Sequence, residues 1–118
     1  MDLDPREEKF AAAMAKLWSR YRGAIIDRVD RLERAALAHK EGTLNAGQRQ
    51  HAVFDAHKLV GSLGTFGFPE GGEVARQLER LFESDTAMQA AGPDRALELV
   101  AALRKELARD AGTAASAG

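Results

Sequence analysis

The sequence predicts an all-α fold: an antiparallel four-helix bundle with a long N-terminal helix and short connections. Two observations point there. Apolar residues recur at steps of three and four over long stretches, while β-branched residues are sparse and clean period-two alternation is missing. Proline, asparagine and glycine then punctuate the chain into helical segments joined by short links, which favours antiparallel neighbours. A length of 118 residues suits one domain, burying roughly two-thirds of the surface of its unfolded chain. At 45% hydrophobic and 30% charged residues, the chain is too apolar for disorder and too charged for a membrane protein.

Asp4-Pro5 sets an N-cap with proline at the first helical position, and Glu7 and Glu8 sit in the first turn. Phe10, Met14, Leu17, Tyr21, Ile25, Val29, Leu32 and Ala36 form one apolar stripe on a helix running to about His39. His39 and Lys40 suit its negative end, and Gly42 terminates it. Asn45 caps a second helix from about Ala46 to Gly64 or Thr65. Thr65-Phe66-Gly67-Phe68 reads as a tight connection, and Pro69 opens a third helix carrying Val74, Leu78, Leu81 and Phe82 to near Ser84. Ala91-Gly92 is a loop, after which Pro93-Asp94 restarts a helix with Leu97, Val100, Leu103 or Arg104, and Leu107. Residues 5–110 form the expected bundle. Residues 111–118 offer nothing large to bury and are expected to be a disordered tail or linker.

Several function classes drop out. A net charge of −1 gives no bulk reason to expect nucleic acid or a membrane surface as partner. The absence of cysteine excludes disulfides, thiolate nucleophiles and cysteine-based metal centres. The opening Asp2-Leu3-Asp4-Pro5-Arg6-Glu7-Glu8-Lys9 is unlike a secretory leader. No stretch approaches the ~20 apolar residues that span a bilayer, so a cytoplasmic location is expected. No Gly-rich phosphate loop or carboxylate set for Mg²⁺ is present, and an enzyme with its own nucleotide site is not expected.

The second helix is the unusual one. At about 100° per residue, Ala52, Ala56, Leu59, Val60 and Leu63 share the side that must face the interior. His57 lies roughly 120° away, with Gly61 and Gly64 on its own side and Phe54 beside it. Each helical glycine costs about 1 kcal/mol relative to alanine, so two ask for a reason. Close helix packing is one; access of a second protein to the imidazole is the other.

His57-Lys58-Leu59-Val60-Gly61-Ser62-Leu63-Gly64-Thr65-Phe66-Gly67 resembles the phosphoacceptor signature of histidine phosphotransfer (HPt) domains of bacterial two-component phosphorelays. That signature has a Leu two residues after the His, a Gly four on, a small residue five on and a Gly ten on. Leu78-Glu79 matches a pair common in the following helix. The resemblance implies a phosphocarrier whose His57 exchanges a phosphoryl group with the aspartate of a response-regulator receiver domain. A hybrid histidine kinase is the other implied partner. Lys58, Gly61 and Ser62 would surround the phosphoryl group, and Phe54 and Gly64 would help dock the partner. The domain is expected to be monomeric, with no cofactor or metal of its own, the receiver bringing Mg²⁺ and a lysine.

One departure stands out. The family places Lys three residues after the His, where this chain has Val60. Lys58 has a stem long enough to reach a phosphate, and Arg76 and Arg80 are further candidates. The departure motivates an alternative, a scaffold that binds a receiver or kinase without efficient transfer. A helical dimerisation module is a second alternative. Of the other residues, His39 reads as a helix-end cation and Trp18 as core or a cap over it. His51, six residues before His57, is wrongly spaced to share a metal with it. Phe54 is either a docking hydrophobe or part of the bundle.

Overall fold

The computed structural model describes the backbone of residues 4–117 and the side chains of residues 4–108. The fold is all-helical: α1 (Pro5–Glu41), α2 (Ala46–Thr65), α3 (Pro69–Glu83), α4 (Asp85–Ala91) and α5 (Arg95–Ala117), with no strand among the described residues. The described residues therefore form five helices rather than four. The extra element is the single short helix α4, whose first turn is capped by the Ser84 hydroxyl accepting from the Ala87 N–H at 3.1 Å. α5 is assigned through residues 111–117, where a tail is expected, but the side chains there lie outside the described residues.

Local chemistry sets the ends. The Asp4 carboxylate accepts from the Arg6 N–H at 2.7 Å, and Pro5 opens α1. Gly42, at φ 76°, closes it by donating to the carbonyls of Ala38 and His39. Asn45 and Gln48 form a reciprocal capping box at 2.8 and 2.9 Å, which starts α2. Gly67, at φ 82°, permits the tight turn into Pro69.

Cross-helix contacts give the directions. Arg104 of α5 reaches Asp30 and Glu33 of α1, while Lys40 pairs with Asp94. Arg49 of α2 reaches the carbonyls of Phe82 and Glu83, while His57 meets Glu79. In each pair one residue number rises as the other falls, so α1 and α5, like α2 and α3, run antiparallel. α1 packs on α2 and α5, and α3 packs on α2 and α5, so the four longer helices close a ring. Its centre is filled by Val29, Leu32, Leu59, Leu63, Leu78, Phe82, Val100 and Leu103, each at most 1% exposed, with Met88 of α4 added at one end.

The apolar stripe of α1 does not enter this core along its whole length. It is buried only from Ile25 onward; Phe10, Leu17 and Tyr21 are 69%, 38% and 47% exposed. The reason is length. A helix of 37 residues spans about 55 Å, whereas the 20 residues of α2 span about 30 Å. The first turns of α1 therefore outrun their neighbour. Trp18 ties this segment down, its ring 5.5 Å from Phe66 and 4.7 Å from Phe68 in the α2–α3 connection.

Candidate functional site

α2 turns its apolar side inward, with Ala52, Ala56, Leu59 and Leu63 buried and Val60 half-buried. The same rotation sends His57 outward, its side chain 69% exposed. One ring nitrogen is held: Nδ1 lies 2.6 Å from Oε2 of Glu79 on α3. A carboxylate oxygen accepts, so Nδ1 carries the proton and donates. Nε2 is then the nitrogen with a free lone pair. Glu79, only 17% exposed, is a firm holder.

Between α1 and α2 a groove of about 650 Å³ runs beside the imidazole. Leu17, Tyr21, Ala24, Ile25 and Arg28 form its α1 wall, and His57, Lys58, Gly61, Ser62, Thr65 and Phe66 form the other. Of the residues expected to surround a phosphoryl group, Lys58, Gly61 and Ser62 thus share one groove with His57. Gly64 and Phe54 do not line it, although both are exposed on α2.

The two glycines after His57 are not packing devices. A Cβ built on Gly61 or Gly64 meets nothing within 4 Å. Close approach of α2 and α3 is served instead by α3's own glycines. A Cβ on Gly71 would lie 3.4 Å from Leu63 Cδ1, and one on Gly72 would lie 3.8 Å from the Val60 carbonyl oxygen. Phe54 proves to be a surface residue, 54% exposed, with the Arg28 guanidinium carbon 5.6 Å and the Lys58 Nζ 5.4 Å from its ring centroid.

Beneath this surface Asp55, 4% exposed, joins α2 to α1. It accepts from Arg31 Nε and Nη2, both at 3.0 Å, and from Arg28 Nη1 at 2.9 Å. The hydrogen bond to Asp55 raises the Arg31 pKa above its ordinary value, outweighing its slight burial, so this cation is permanent. Arg76 sits 3.7 Å from Glu73, and neither Arg76 nor Arg80 lines the groove. His39 and His51 stand apart from His57, and no group of three metal-ligating side chains occurs among the described residues.

Glu79 and Arg28 are the two residues around His57 whose positions sequence reasoning does not place. Glu79 is visible as half of the Leu78-Glu79 pair, yet nothing local says that it meets the ring. Arg28 lies 29 positions earlier on another helix, and only the packing of α1 on α2 brings it to the groove.

The family model of the Hpt domain matches residues 16–113, which is most of the chain and includes all the residues just described. The chain belongs to the Hpt domain family. Hpt domains serve histidine phosphotransfer in phosphorelays of two-component signalling, as phosphocarriers that meet receiver domains and histidine kinases. No curated protein and no solved structure matches this Hpt domain. No helix among its described residues is long and apolar enough to cross a membrane.

Proposed function

We propose that His57 is the phosphoacceptor of this Hpt domain, exchanging a phosphoryl group with the aspartate of a receiver domain in a His–Asp relay. The observation that carries the reading is the exposed imidazole, pinned at Nδ1 by Glu79 with Nε2 left for attack. In the forward step the Nε2 lone pair forms a bond to phosphorus. The bond from phosphorus to the aspartyl oxygen breaks, and its electron pair stays on the carboxylate. No proton has to move: Nδ1 keeps its hydrogen, and the positive charge arising on the ring faces the Glu79 carboxylate. The transition state is loose, so alignment and charge placement carry most of the catalysis.

The receiver would enter over Gly61 and Gly64, where no side chain stands in its way. Lys58 and Ser62 would lie near the phosphoryl oxygens, and Phe54 and Gly64 would extend the docking face. We assign the metal ion, with the aspartate that exchanges the phosphoryl group, to the receiver. We read the domain as a cytoplasmic monomer: the antiparallel ring of four long helices fills its own core, without a second copy. The scaffold alternative rests on Val60, which is half-buried against the core rather than beside the imidazole's open face.

Incubation with radiophosphorylated receivers and Mg²⁺ tests the reading. Label should pass to the wild type and not to His57→Ala. Binding of a receiver without any transfer of label would favour the scaffold.

A further inference from the structure

The groove beside His57 contains a cation that the family signature does not supply. Arg28 and Lys58 both line it, and both lie over the Phe54 ring, one helical turn before His57. They come from different helices, so α1 and α2 each contribute one cationic side chain to the groove that His57 lines. Asp55 does not cancel this pair. It is already held by Arg31 through two hydrogen bonds, one to each carboxylate oxygen. Arg28 adds a third through Nη1 alone, to the oxygen Arg31 Nη2 also uses. Asp55 therefore remains satisfied when Arg28 leaves, and four of the five guanidinium N–H donors of Arg28 are not used on it.

Resting on the assignment of His57 as phosphoacceptor, we propose that Arg28 binds the phosphoryl group on His57, with Lys58, and so replaces the lysine that Val60 displaces. In the resting domain Asp55 and Phe54 park the guanidinium at the groove. Phosphorylation adds close to two negative charges, and the planar fork of Arg28 turns to meet them while Arg31 keeps Asp55 paired. Such a contact stabilises the phosphoryl dianion more than a loose transition state, in which negative charge on the phosphoryl oxygens falls. Its signature is a longer-lived phosphohistidine.

Potassium phosphoramidate, which phosphorylates imidazoles without any protein partner, makes the test independent of a receiver. Wild type, Arg28→Ala, Arg28→Lys and Arg31→Ala are phosphorylated with it, the site is located by mass spectrometry, and loss of phosphate from His57 is timed. Arg28→Ala should shorten the lifetime about 3- to 10-fold, the effect of one charge-assisted contact at a partly exposed site. Arg28→Lys should restore part of it, and Arg31→Ala, which leaves Arg28 as the sole partner of Asp55, should shorten it less than Arg28→Ala does while lowering stability. Equal lifetimes in wild type and Arg28→Ala would overturn the proposal, as would failure of His57 to take phosphate at all. A receiver that never exchanges label with a phosphorylated His57 would overturn the relay reading instead, and the lifetimes would still decide the role of Arg28.

Discussion

Oε2 of Glu79 lies 2.6 Å from Nδ1 of His57, a contact between α3 and α2 that fixes which nitrogen of an exposed imidazole is free to react. Without it the ring would rotate and exchange tautomers. If His57 is the phosphoacceptor as proposed, the contact orients the nucleophile and also places a negative charge beside the ring that becomes cationic during transfer.

Glu79→Ala should therefore slow phosphoryl transfer to His57 by about 10-fold or more, as expected for losing a hydrogen bond of about 1.5–3 kcal/mol to a charged group. Glu79→Gln keeps an acceptor but not the charge and should fall between the two. Rapid-quench transfer kinetics against one receiver would check this order. Equal rates in all three proteins would remove Glu79 from the mechanism.

Gly61 separates access from packing. Gly61→Ala meets nothing within 4 Å, so it should stabilise the helix by about 0.5–1 kcal/mol. Gly61→Leu should also fold, but its side chain would occupy the groove and transfer should drop steeply. Urea unfolding run beside transfer assays shows both. A Gly61→Leu protein that unfolds early would mean that the space is needed inside the domain.

Gly71 should behave in the opposite way. Its missing Cβ faces Leu63 at 3.4 Å and Leu103 at 3.7 Å, so Gly71→Val should cost about 1–3 kcal/mol by overpacking. Thermal unfolding would register it, and a neutral result would show that α3 has room to shift.

Asp55→Ala should cost about 1–3 kcal/mol, because three hydrogen bonds from two arginines lose their acceptor. The exposed parts of both guanidinium groups can rehydrate, which limits the loss. Chemical denaturation measures it, and an unchanged midpoint would show that the α1–α2 joint is carried by apolar contacts alone.

Much of the architecture is legible in the sequence because it is written locally. Asp4-Pro5, Asn45, Gly42 and Pro69 each act within a few residues of their own position, and the helices begin and end where those signals fall. α4 escapes because seven residues are too few to display a period. The exposure of Phe10, Leu17 and Tyr21 escapes because periodicity states which face is apolar, not whether a neighbour is long enough to cover it. At the site, the outward direction of His57 follows from the interior set on its own helix. The contacts with Glu79 and Arg28 depend on how α3 and α1 are laid against α2, which no spacing within one helix encodes.

The most direct test of His57 as the relay residue is transfer of ³²P from a phosphorylated receiver to the wild-type domain and to His57→Ala, with the labelled residue located by mass spectrometry. Acid-labile, alkali-stable label is predicted on His57 in the wild type, and none on His57→Ala. Label that persists in His57→Ala would contradict the assignment.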